Sequence, residues 1–198
     1  MLFRSRAAVD GHSRIDRFTN RVALDRVGVF GMSLGGAVAG RFCEQDARCK
    51  AGLNMDGLHY GPTGTSLRIA QPFMFIYADR RAAASEFLPG VDTNRATPWR
   101  MNDFAYRRTG DLAYVMTIAG ANHLNFSDFA FASNHLRWSG VLGDIEPDTL
   151  RKLLNDAVLA FFNQTLRSTR EPMLEEMLGQ RAGVLEFGQR DGRAHSAE

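Results

Sequence analysis

The chain has 198 residues, 44% of them apolar, and a formal net charge of +2. That length suits one domain with a buried core, and the near-balanced charge leaves no footprint for a polyanion, so nucleic acid is not an expected partner. No run of about 18 apolar residues occurs, which excludes a transmembrane helix, and Met1-Leu2-Phe3-Arg4-Ser5-Arg6 lacks the apolar stretch of a secretory signal, leaving localisation open.

Residues 1–25 are polar and Arg-rich, with weak periodicity, and read as a weakly structured segment. Residues 26–30 form a short apolar run ending at glycine, the mark of a buried strand. A helix is predicted over 34–46, a second strand over 50–55 and a Gly/Pro loop over 57–64. Pro72-Phe73-Met74-Phe75-Ile76-Tyr77 is a continuous apolar run, as expected of a strand covered on both faces. A short helix is expected near 101–109, a fourth strand at 113–118, a Gly/Asn/His loop at 119–125 and a helix over 127–137.

The long helix is predicted at 147–166. Pro147 suits its first turn, where no amide hydrogen is required. Leu150, Leu153, Leu154, Val158, Phe161 and Phe162 recur at three- and four-residue steps and define a core-facing stripe. A last short helix is expected at 172–178. Residues 180–198 are polar and Gly/Arg-rich and read as a disordered tail. Cys43 and Cys49 are the only cysteines. Outside any CxxC or Cys/His cluster, they read as ordinary buried thiols.

Strands alternating with helices imply a mostly parallel sheet flanked by helices, with ligands at the carboxyl ends of the strands. Gly31-Met32-Ser33-Leu34-Gly35 lies at such an end, directly after a strand and opening a helix. This is the G-x-S-x-G nucleophile elbow in the context that gives it meaning. The glycines at 31 and 35 are expected to make room where side chains would collide, and Gly36 and Ala37 to let the helix approach the sheet. Ser33 is the candidate nucleophile, and the Leu34 amide a candidate oxyanion donor.

A serine hydroxyl needs a base. Of the five histidines, His12 and His195 lie in weakly structured ends, His135 sits in a predicted helix and His59 just follows the second strand. His123 follows the fourth strand, after the serine, in the chain order Ser, acid, His. For the acid, the residues leave two candidates: Asp56 ends the second strand and Asp79 follows the third. No Asp, Glu or His shows metal-ligand spacing such as H-E-x-x-H, so no metal or cofactor is implied.

Three blocks carry a family resemblance. They are Val27 to Ala37 with Arg48 to Asp56, Gln71 to Ile76, and Ile118 to Phe131, centred on His123-Leu124-Asn125-Phe126-Ser127-Asp128-Phe129. The chain resembles the plasma-type (group VII) platelet-activating factor acetylhydrolases and their bacterial relatives, of the α/β-hydrolase superfamily. The resemblance implies Asp56, rather than Asp79, as the acid. It further implies a Ser33–Asp56–His123 esterase acting without metal on short or oxidised acyl groups of phospholipids or small esters.

Met32 stands where relatives usually carry His. The family also has several elements ahead of the elbow strand, including the loop that donates a second oxyanion amide. Only 25 residues precede that strand here, so the expected fold is a partial α/β-hydrolase, with a catalytic core at 26–179. Loss of one such donor typically lowers rate by about 10²–10³-fold, so a weak or inactive fragment is the first alternative. A dienelactone-type or polyester-cleaving hydrolase using Asp79 is the second. An open outer edge on the elbow strand would favour a homodimer or aggregation.

Overall fold

The computed structural model describes residues 22–59, 67–79, 105–110, 112–132, 134–167, 174 and 184–191. Outside them lie most of the expected N-terminal segment 1–25, residues 180–183 and 192–198 of the expected tail, and all of the 172–178 helix except Leu174, which is helical.

Strand β1 (Val27–Met32) leads into helix α1 (Leu34–Gln45), followed by β2 (Cys49–Met55) and β3 (Phe73–Tyr77). Residues 105–108 are helical, and β4 (Leu112–Ile118) completes the parallel part of the sheet. A 3₁₀ turn (His123–Phe126) and helices α2 (Phe129–Ala132), α3 (Asn134–Trp138) and α4 (Pro147–Arg167) follow, then β5 (Val184–Asp191). The strands lie in the order β1-β2-β3-β4-β5; the first four are parallel, and β5 pairs antiparallel with β4. Among the described residues no strand pairs with the outer side of β1, where Phe30 is 58% exposed.

Two layers of side chains cover this sheet. On one face, Leu53, Met74, Ile76 and Met116 pack against Leu150, Leu153, Ala157 and Phe161 of α4. The predicted apolar stripe of that helix therefore faces the core, with Leu154, Val158 and Phe162 partly buried at its margin. On the other face, Ala39 and Cys43 of α1 join Phe73, Phe75 and Tyr77. β3 is buried at all five positions, as its unbroken apolar run requires.

Three expectations need correction. First, part of the expected tail, 184–191, is strand β5: antiparallel pairing with β4 satisfies its backbone, and Val184 and Phe187 pack against the core. Second, 127–137 is not one helix but two short ones, α2 and α3.

Third, Cys43 and Cys49 are not free thiols but form a disulfide joining the end of α1 to the start of β2. The turn at Asp46 brings them together: Asp46 accepts bonds from the Arg48 backbone and guanidinium, and the Cys49 amide donates to the Asp46 carbonyl. Closing so short a loop, six residues apart in sequence, constrains the unfolded chain by about 2 kcal/mol. Replacing both cysteines with alanine should lower the free energy of unfolding by at least that amount in urea denaturation; an unchanged midpoint would contradict this.

Candidate active site

The sheet register builds the site. Met32, Met55, Ile76 and Met116 lie side by side across the four parallel strands. Ser33 and Asp56 are therefore the next residues on adjacent strands. Each is tied to its neighbour: the Ser33 amide donates to the Met55 carbonyl at 2.8 Å, and the Asp56 amide to the Ile76 carbonyl at 2.8 Å. Both leave their strands with positive φ, 54° at Ser33 and 53° at Asp56. A non-glycine residue in such backbone costs on the order of 1–3 kcal/mol and persists only where its surroundings enforce it.

At the elbow, a Cβ on Gly31 would lie 2.4 Å from the Gly35 carbonyl carbon, so only glycine lets the strand and the first helical turn pass. Gly35 differs from expectation, since a Cβ there would meet nothing within 4 Å. The close approach of helix to sheet falls instead on Gly36, whose Cβ would lie 2.0 Å from Asn54 Oδ1. Leu34 is the first residue of α1, so its N–H has no intrahelical acceptor and points out from the helix N-terminus, where negative charge is favoured.

His123 comes from beyond β4, two strands away from Asp56. The loop carrying it is drawn back over the sheet by Asp79. The Asp79 amide donates to the Ala121 carbonyl at 2.8 Å, and its Oδ2 accepts the Gly120 N–H at 3.1 Å. Asn125 then fixes the 3₁₀ turn, its Oδ1 accepting the amides of Asn122 at 2.8 Å and Gly143 at 2.7 Å.

The result is a continuous hydrogen-bonded line. His123 Nδ1 lies 2.7 Å from Asp56 Oδ2, and His123 Nε2 lies 3.0 Å from Ser33 Oγ. A carboxylate only accepts, so Nδ1 carries the proton and donates it to Asp56. Nε2 is then the ring acceptor and receives the Ser33 hydroxyl hydrogen. The other Asp56 oxygen, Oδ1, accepts the Ala78 amide at 3.0 Å, so both carboxylate oxygens are held. The Asp56 side chain is only 3% exposed and the His123 ring 21%. Such a line can activate a serine toward an electrophilic carbonyl.

All three residues singled out from the sequence therefore meet. Asp79, the other acid candidate, binds the backbone of the histidine loop instead. His135 lies on α3 against Trp138, and His12 and His195 are outside the described residues.

Comparison with known proteins places the chain. A model of the family described as platelet-activating factor acetylhydrolase, isoform II, matches residues 4–175. The chain belongs to that family. The platelet-activating factor acetylhydrolase of Bos taurus is 28% identical over 158 residues, covering 77% of this chain and 32% of that protein. The Cavia porcellus enzyme of the same name is 27% identical over 150 residues, 73% of this chain and 31% of its own. The chain thus spans about a third of the length of these curated relatives. A solved ferulic acid esterase from Streptomyces cinnamoneus shares the fold, with a TM-score of 0.63 at 20% identity over 83% of this chain and 48% of the esterase. The five strands and flanking helices are thus the α/β-hydrolase fold, as expected.

Sequence reasoning passed over Asn54 and His59. Asn54 is a fully buried amide on β2, and its Oδ1 accepts the Gly57 N–H at 2.7 Å while its Nδ2 donates to the Gly57 carbonyl at 3.0 Å. Nδ2 also lies 3.3 Å from His59 Nε2. A polar residue inside the buried stretch of a strand, 51–54, was the available signal.

His59 is 4% exposed and edge-on to Phe75. Burial first, and the Arg41 charge second, push its pKa down from 6.5 to about 4, against a smaller opposing effect of Glu44. In the native state the ring is therefore neutral, while the unfolded chain takes up a proton below its ordinary value. The stability from neutral His59 is complete above pH 6.5 and is lost as pH falls toward 4. Between pH 7 and 5 this amounts to about 2 kcal/mol. Urea denaturation at the two pH values should show that loss in wild type and a smaller one in His59→Gln; equal losses would remove His59 from the account.

Proposed function

We propose that this chain acts as a carboxylic ester hydrolase with Ser33 as nucleophile, His123 as general base and acid, and Asp56 as the residue that orients and stabilises His123. The observation that carries this reading is the Ser33–His123–Asp56 hydrogen-bonded line, set on a strained turn between strand and helix.

Ser33 Oγ attacks the ester carbonyl carbon and its proton passes to His123 Nε2. The carbonyl oxygen becomes an oxyanion, to which the Leu34 N–H donates. Collapse breaks the bond to the leaving alcohol, which takes the proton from Nε2 and departs, leaving an acyl group on Ser33. Water enters by the same route: Nε2 takes its proton, its oxygen attacks the acyl carbon, and Ser33 regains its hydrogen as the carboxylic acid leaves. The imidazolium formed in each half is stabilised by the buried Asp56 carboxylate.

The relatives are platelet-activating factor acetylhydrolases, a name that states removal of an acetyl group. We take short acyl chains on phospholipid or small-alcohol esters as the substrate class. Initial rates on p-nitrophenyl esters from acetate to octanoate, beside an sn-2 acetyl glycerophospholipid, test it. Highest kcat/KM on acetate and turnover of the phospholipid are expected. Preference for octanoate, or no hydrolysis of any ester, would overturn the assignment. The dienelactone-type and polyester-cleaving alternatives were tied to Asp79 as the acid, and its bonds to the 120–121 backbone do not favour them.

A further inference from the structure

We propose that Asn54 is a positioning residue for the acid of this site, fixing Asp56 relative to Ser33 through the turn at Gly57; the proposal rests on the triad reading above. Asp56 must leave β2 with φ of 53° to aim its carboxylate at His123. Nothing in an aspartate favours that backbone strongly enough to hold it alone. The next residue, Gly57, is clamped on both of its backbone groups by one side chain, that of Asn54. An amide meets both groups at once with two separate atoms: a carboxylate lacks the donor, an aliphatic chain lacks both, and a serine hydroxyl offers a single oxygen on a shorter side chain.

The clamp also sets the distance to the nucleophile. A Cβ on Gly57 would lie 2.1 Å from the Ser33 carbonyl oxygen and 2.6 Å from Asn54 Oδ1. On its far side Asn54 Oδ1 abuts Gly36 of the elbow helix. One amide is therefore wedged between the first turn of α1 and the turn after Asp56, and both catalytic strand ends close on it. The Asn54 orientation is unambiguous, because the Gly57 N–H requires an oxygen opposite it. The second Nδ2 hydrogen faces His59 Nε2 at 3.3 Å, which accepts it in the neutral tautomer that carries its proton on Nδ1.

A purely structural role would be served better by an apolar side chain. A buried amide carries a desolvation penalty that its hydrogen bonds only offset, and the adjoining residues of β2, Leu53 and Met55, which face the other side of the sheet, pack against apolar neighbours. What an apolar residue cannot do is hold Gly57, and through it Asp56.

The test compares wild type with Asn54→Leu and Asn54→Ser, with Ser33→Ala and Asp56→Asn as controls, by p-nitrophenyl acetate kinetics and by the downfield NMR resonance of the His123 Nδ1 proton. The expected result is a fall in kcat of about 30–100-fold with KM within about twofold. The Nδ1 resonance should shift upfield or broaden, while circular dichroism matches wild type. Unchanged kcat and an unchanged resonance in a folded Asn54→Leu would overturn the proposal. So would failure of both Asn54 variants to fold, which would make Asn54 a folding residue. Controls that keep wild-type rates would instead sink the triad reading. Because the resonance is read on the resting protein, it decides the Asn54 question in the absence of turnover.

Discussion

Ser33→Ala and His123→Ala should each reduce hydrolysis of a short-chain ester by on the order of 10⁴–10⁶-fold, and the double variant should be no worse than either single one. The reason lies in how the two residues share one proton. Ser33 Oγ sits 3.0 Å from Nε2, and a serine hydroxyl without that acceptor is a weak nucleophile at neutral pH. Removing the base leaves a hydroxyl with nowhere to send its proton; removing the hydroxyl leaves a base with no nucleophile. The losses therefore do not add. Neither change should disturb the fold, since the Ser33 strand end is held by its backbone amide on Met55 and the histidine loop by Asp79 and Asn125. Initial rates with melting temperatures check this. Additive losses, or either variant keeping more than a tenth of wild-type activity, would contradict it.

Asp56→Asn should lower kcat by about 10³–10⁴-fold, whereas Asp79→Asn should cost about tenfold or less. Asp56 Oδ2 fixes the proton of His123 on Nδ1 and faces the imidazolium when it forms. An amide in its place can present a donor to Nδ1, which drives the ring into the tautomer that cannot accept from Ser33. Meanwhile Oδ1 is held by the Ala78 amide, so the side chain has little freedom to compensate. Asp79 supplies an acceptor to the Gly120 N–H, and asparagine keeps an oxygen for it. Comparing the two variants in one assay separates the acid from the residue that positions the loop. A large loss at Asp79 with little at Asp56 would reverse the assignment.

The elbow was legible in sequence because it is local: strand, turn and helix follow one another within a few residues around Ser33. His123 was legible from chain order and its Gly/Asn surroundings. Asp56 and Asp79 were not separable without the resemblance, because each simply follows a strand. Register decides between them in space: Asp56 ends the strand beside the elbow strand, while Asp79 ends the next one and turns to the backbone of the loop.

β5 was missed because Glu186, Gln189, Arg190 and Asp191 leave no apolar run, and its existence depends on pairing with β4, over 65 residues upstream. The disulfide was missed because spacing alone does not reveal that a helix end and a strand start meet at Asp46. Gly35 fits the motif by letter, yet the tight contact belongs to Gly36, and only the position of Asn54 beneath it shows why.

The most direct test of the central claim is covalent labelling with a fluorophosphonate, read by intact mass and peptide mapping on folded wild type, Ser33→Ala and His123→Ala. The account predicts a single phosphonyl adduct on the peptide carrying Ser33 in wild type, none in Ser33→Ala and slow, partial labelling in His123→Ala. Folded wild-type protein that takes up no probe, or an adduct on a residue other than Ser33, would contradict it.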